Sequence, residues 1–431
     1  MSSSVIIPIE FDGEVKVGGK NGRHGLRPCL SRFASMLAAM EISSKDEGTK
    51  KVIHSVKVGV ALTLVSLLYV IDSLYHRVGD NAMWAIMTVV VIFEFHAGAV
   101  LSKGLNRGIG TVIGGGLGCL VAVLARKVDG VGNEIIICTS VFISGAGATY
   151  VRLIPTIKKK YDYGAMIFIL TFNLVVVSCL RADNIIRITS ERFSTIFMGF
   201  GICLFTCLVF LPNWSSDELH VSVAARFEGL ARALGECYEG YLDAASPKEN
   251  KPAVALSGTC KTILQSKSKD ESLAVFAKWE PWHGNFGLSY PWKKYLQIGE
   301  LLRELAAIVI SLKLCLESPG QMIIGDVKGS IDDTLEVSTT CLMWALRELG
   351  GSISKMTRCQ PEETILPRLK STGQELSQTV SQAISPCREL RNGNEIMFSS
   401  SLVLLMAMAK KVEELAKEVK ELGEEAGFNT P

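Results

Sequence analysis

Six apolar stretches crowd into the first half of this chain, each near the roughly 20 residues that a helix needs to cross a hydrocarbon core. They lie at 53–72, 82–101, 108–126, 134–152, 163–181 and 193–212. Backbone polar groups inside a bilayer must be satisfied within the segment itself, so such stretches fold as helices. The third (GIGTVIGGGLGCLVAVLA), the fifth and the sixth are cleanly apolar, whereas Glu94 and His96 interrupt the second. Gly79-Asp80-Asn81 and Asp129-Gly130 mark turns between them. The predicted fold class is an all-α membrane protein, with six transmembrane helices followed by a cytosolic helical domain. Three regions result: a flexible polar leader over 1–50 without the apolar core of a signal peptide, a six-span domain over 51–212, and a helical domain over 213–431.

Composition agrees with this reading. Charged residues make up 20% of the chain, against about 25% in soluble domains. Basic residues outnumber acidic ones before residue 212, and the balance reverses after it. No dense Lys/Arg stripe points to nucleic acid. The 12 cysteines are scattered without a CxxC pair, and Cys119, Cys138, Cys179, Cys203 and Cys207 sit in apolar runs. That pattern fits reduced thiols rather than a disulfide framework.

Short connections and an even number of spans place both ends on one side. The positive-inside rule then selects the side. Lys45, Lys50, Lys51 and Lys57 flank the first span, Lys103 and Arg107 fall in the second connection, and Arg152 with Lys158, Lys159 and Lys160 fall in the fourth. The opposite side is poorer in Lys and Arg, so both termini are expected in the cytosol.

Ionisable residues at span ends carry the functional information. A Lys or Arg deep in a bilayer costs about 2.5–3.5 kcal/mol on insertion scales and normally faces protein or water. Lys103 and Arg107 stand four apart, so one helix face presents both where the third span begins. Arg192 opens the sixth span and Arg181 closes the fifth. Basic groups converging from several helices lower the cost of passing an anion. The rival for each is snorkelling, in which the long stem carries the charge to the headgroups. Glu94 is available as a buried partner for one of these bases. Gly110, Gly114 and Gly118 form a GxxxGxxxG face for close helix packing, and the pairs Gly145/Gly147 and Gly199/Gly201 suit the same use.

Beyond Pro212 the apolar residues recur at i, i+3, i+4. Helices are predicted within 219–242 and 296–316 and near 331–356, 362–384 and 398–425. The string WEPWHGNF (279–286) between them reads as a structured loop packed under the helical domain, with a ligand site as the alternative. No zinc spacing, nucleophile elbow or dinucleotide-binding pattern occurs, so neither an enzyme nor a cofactor is expected.

Five strings together resemble the plant aluminium-activated malate transporter family of anion channels. They are VKVGVALTLVSLLY (56–69), WAIMTVVVIFEFHAGAVLSKGLNRGIGT (84–111), ATYVRLIPTIKKKYDYGAMIFILTFNLV (148–175), RITSERFSTIFMGFGICL (187–204) and WEPWHGNF. The resemblance implies a homodimer in the plasma or vacuolar membrane, with a pathway between subunits for malate and for chloride, nitrate or sulfate. It maps the family's basic pore residues onto Lys103, Arg107 and Arg192, with Arg181 a looser match. It links Glu280 to aluminium response, and the segment around Phe210 and Trp214 to inhibition by GABA. The alternatives are a proton-coupled organic-acid exporter and a non-conducting membrane scaffold.

Overall fold

The computed structural model describes residues 47–72, 83–128, 131–178, 185–245, 254–287, 290–316, 327–384 and 393–430. The leader, except for its last residues, and the turns at 79–81 and 129–130 lie outside them, as does Arg181. The chain divides into two units, 1–59 and 60–431. The described part of the first is helical. It forms the start of α1 (Glu47–Val70), which continues into the second unit.

In that second unit, α2 (Met83–Ile92), α3 (Ala97–Ala125), α4 (Val131–Leu153), α5 (Pro155–Ser178) and α6 (Ile185–Val209) follow. Among the described residues five helices, all but α2 among α1–α6, are long and apolar enough to cross a membrane. The second predicted span is corrected: α2 is a ten-residue helix, the chain leaves helical geometry at Phe93–His96, and α3 then runs unbroken through 29 residues. Lys103 and Arg107 therefore lie on α3, not in a connection, and cannot be counted as loop charges. The fourth connection also shrinks, because α5 begins at Pro155 and takes in Lys158. Proline at the first helical position suits this start, since its missing N–H would have no intrahelical partner.

Packing follows the small residues. α3 lies along α5, and a Cβ at Gly110 would overlap the Gly164 carbonyl while one at Gly114 would stand 2.8 Å from the Phe168 carbonyl oxygen. These glycines let two backbones approach in a medium where apolar attraction gives no net drive. Replacing Gly114 by leucine is expected to separate α3 from α5 and lower the yield of folded protein several-fold, checked by monodispersity on size exclusion in detergent. Gly199 likewise meets α2 at the Ala85 carbonyl. Gly145, Gly147 and Gly201 face open space within the chain, so they do not serve the intramolecular packing expected of them. α4 leaves Ile135, Phe142, Ile143 and Tyr150 broadly exposed, as a lipid-facing helix would.

The helical domain begins two residues after a left-handed Leu211 (φ 45°) and Pro212 turn the chain out of α6. A non-glycine residue there carries a steric cost of about 1–2 kcal/mol. The domain contains α7 (Ser215–Ala245), α8 (Val254–Leu264), α9 (Lys267–Ala277), α10 (Trp292–Leu316), α11 (Val327–Lys355), α12 (Ile365–Ile384) and α13 (Gly393–Glu425). The 3.6-residue apolar period of these segments produces one core, in which Phe227, Tyr295, Leu302, Leu342, Leu405 and Leu415 are fully or almost fully buried. Asp270, 1% exposed, accepts from Arg226 at 2.6 Å on both oxygens and from Arg303 at 3.2 Å, fastening α9 to α7 and α10.

Candidate functional site

Helices α2, α3, α5 and α6 enclose a cavity of about 30 Å³, lined by Trp84, Arg107, Thr111, Thr171, Arg192 and aliphatic residues of α5 and α6. Arg107 and Arg192, 85 positions apart in the chain, thus meet at one place. Arg107 is 4% exposed. Its Nη1 donates to the Tyr163 hydroxyl at 3.2 Å, while its Nε is buried without a hydrogen bond. Among the described residues it makes no ion pair. One turn on, the Thr111 hydroxyl donates back to the Arg107 carbonyl at 2.7 Å. The Arg192 guanidinium lies 5.0 Å from the centre of the Trp84 ring. An aromatic face attracts a cation through its ring quadrupole.

Lys103 does not line this cavity. Its ammonium pairs with the Glu94 carboxylate in the break before α3, and both side chains are about one-third exposed. Glu94 therefore has the basic partner that its sequence position allowed. The pair spans the break and fixes Lys103 one helical turn before Arg107.

The break is docked on the helical domain. The Ala97 amide donates to the Asn213 carbonyl at 3.0 Å, and the Asn213 side chain donates to the Phe95 carbonyl at 3.4 Å. His96 Nε2 lies 3.0 Å from Glu218, which also pairs with Lys269 at 2.7 Å. These partners hold the Glu218 carboxyl down at about 2, the His96 bond first and Lys269 next, against burial. Gly98 touches the Phe276 carbonyl so closely that a Cβ would overlap it.

Glu280 occupies the N-terminus of α7. It is 4% exposed; Oε1 accepts the Ser215 amide at 2.5 Å, and Oε2 accepts the Ser216 amide at 3.2 Å. A carboxylate at this place satisfies two helix-start N–H groups and meets the positive end of the helix dipole. WEPWHGNF is a structured loop closed by an isolated bridge between His283 and Phe286. Trp214 stacks on His283 with centroids 3.8 Å apart. Phe210 ends α6 through its amide on the Thr206 carbonyl at 3.2 Å. Sequence reasoning missed Trp84, Tyr163 and His96; only the proximity of Trp84 to the second span's start hinted at one of them. Among the described residues no three His, Cys, Asp or Glu side chains gather where they could hold a metal.

Next to this seam, His220 is 7% exposed with Nδ1 2.7 Å from the Tyr295 hydroxyl. Burial pushes its imidazole below the ordinary value of 6.5. Folding then favours the neutral ring, so its contribution is full above about pH 6.5 and declines as pH falls below that value. The melting temperature of the wild type is expected to fall between pH 7 and 5, with a smaller fall in His220→Gln, read by nano-calorimetry in detergent.

A cationic cavity among long apolar helices, joined to a helical domain, defines the class: a multi-pass integral membrane protein. The family model described as aluminium activated malate transporter matches residues 41–396, and the chain belongs to that family. It is 43% identical over 316 residues to Aluminum-activated malate transporter 12 of Arabidopsis thaliana, covering 73% of this chain and 56% of that protein. It is 35% identical over 385 residues to Aluminum-activated malate transporter 2 of the same plant, covering 89% and 76%. Against Aluminum-activated malate transporter 1 of Triticum aestivum it is 32% identical over 425 residues, covering 95% and 89%. With the first of these the match spans little more than half of the relative's length.

Proposed function

We propose that this chain is a passive anion channel for malate, and for inorganic anions such as chloride, nitrate or sulfate, working as a homodimer in a plant plasma or vacuolar membrane with both termini cytosolic. The observation that carries the reading is Arg107: a buried guanidinium in a membrane helix, without an ion pair among the described residues, beside a second arginine in one cavity. A charge kept in this way is costly unless an anion completes it. The family's names supply malate as the anion.

In this reading Arg107 and Arg192 replace part of the hydration of a carboxylate, and Thr171 offers a neutral donor. A cavity of about 30 Å³ has room for one or two waters, so a dicarboxylate passes only when the helices part. In this reading the cavity is closed to a dicarboxylate. Lys103 with Glu94 forms the approach to the cavity, and Glu280 acts by holding the helical domain rather than by touching the anion. Whether the full pathway uses two subunits is decided by concatenated dimers carrying one altered copy.

The test is two-electrode voltage clamp in oocytes with malate, chloride and nitrate gradients. Reversal potentials that follow the anion gradients establish a channel; flux that follows the proton gradient instead establishes the exporter.

A further inference from the structure

Glu280, Ser216 and His283 form a hydrogen-bonded chain in which a neutral imidazole leaves one contact without a hydrogen. The Ser216 hydroxyl lies 2.6 Å from Glu280 Oε2 and 2.8 Å from His283 Nε2, and His283 Nδ1 lies 2.8 Å from the Pro281 carbonyl. A carbonyl only accepts, so Nδ1 carries a hydrogen. Both Glu280 oxygens already accept backbone amides. Ser216 then has a single hydrogen for two acceptors, Oε2 and a bare Nε2. Every contact is made at once only when a further proton sits on Nε2, giving Nε2–H to Ser216 and O–H to Glu280. The ring is stacked on Trp214, and Oε2 of Glu280 is 3.9 Å away. Other charged groups on the adjoining elements have their own partners or face outward. On α7, Glu218 is taken by His96 and Lys269, His220 by Tyr295, and Asp217 is exposed; Lys278 at the end of α9 is exposed.

We propose that Glu280, Ser216 and His283 are a proton-binding site at the seam between the membrane helices and the helical domain, and that its occupancy sets how firmly that domain holds the break before α3. The link to the break is direct. A Cβ on Gly98 would stand 2.9 Å from Glu280 Cγ, and the next residues of the seam are Asn213 and Ala97, bonded to each other. Losing the proton frees one of the two bonds of Ser216 and loosens the cap of α7.

The first arm of the test does not depend on transport. An imidazolium stacked on an indole quenches its fluorescence. Full-length protein in nanodiscs is titrated over about pH 5–8, the range in which imidazole exchanges protons, and the Trp214 component is isolated by subtraction of Trp214→Phe. Quenching on acidification is expected, lost in His283→Gln and kept in His220→Gln. Ser216→Ala keeps the stack and loses one charge-assisted bond, so quenching is expected to need more acid than in the wild type. A Trp214 component that ignores pH, or one that titrates unchanged in His283→Gln, overturns the site. The second arm rests on the malate reading: pH on the helical-domain side should change malate current about 3- to 10-fold in the wild type and far less in His283→Gln. Equal pH dependence in both overturns the link to the break. Absence of current in every variant counts against the transport reading, while the fluorescence arm still decides the site.

Discussion

Arg107→Ala is expected to lower malate current at least 10-fold while leaving the protein at the cell surface. The change removes a buried charge that no ion pair among the described residues compensates, so folding loses little and can even gain. A dianion, by contrast, loses its partner in a site shielded from water. One charge-assisted contact of about 1.5–3 kcal/mol corresponds to a rate factor of about 10–150. Arg107→Lys keeps the charge but not the bond to Tyr163 at 3.2 Å, and should recover part of the current. Current and surface biotinylation measured on the same oocytes separate conduction from trafficking. Unchanged current and selectivity in Arg107→Ala would remove the arginine cavity from the pathway.

Asp270→Ala should have the largest effect on stability, about 3–5 kcal/mol, the cost of breaking a buried ion pair from one side. Asp270 is 1% exposed and receives Arg226 and Arg303. Among the described residues the one further carboxylate on either arginine is the half-exposed Glu300, which pairs with Arg303 and also lies 3.8 Å from Lys267. Alanine leaves two guanidinium groups facing each other in the core between α7, α9 and α10. Loss of the helical domain's cooperative melting, or failure to accumulate in the membrane fraction, is the expected reading. Asp270→Asn, which keeps acceptor geometry without charge, should fall between the two.

Much of this architecture is legible in the sequence because lipid and water impose strong patterns. Apolar length gave five of the spans, the 3.6-residue period gave the tail helices, and the Gly110–Gly118 spacing marked the face on which α3 meets α5. The break at Phe93–His96 was only partly legible: Glu94 and His96 interrupt the apolar run, but no glycine or proline marks a turn there. Its causes lie more than a hundred residues away, in Asn213 and Glu218. Convergence of Arg107 with Arg192 was expected from charge at span ends, whereas the separation of Lys103 from them was not, because its pairing with Glu94 depends on how the break folds back. The resemblance drew attention to Glu280 as a regulatory acid; its position as the cap of α7 depends on a contact across 64 residues.

The placement of Arg107 along α3 has an electrical consequence. Ala97 sits where the last span gives way to the helical domain, and Arg107 is ten residues further in. At 1.5 Å per residue that is about 15 Å, about half of a 30 Å hydrocarbon core. A dianion resting there has crossed about half of the transmembrane voltage. Its energy changes by about 2.3 kcal/mol per 100 mV, so its residence on the arginines changes about 50-fold over that interval. On the proposed channel reading, membrane potential alone then fills or empties the arginine cavity.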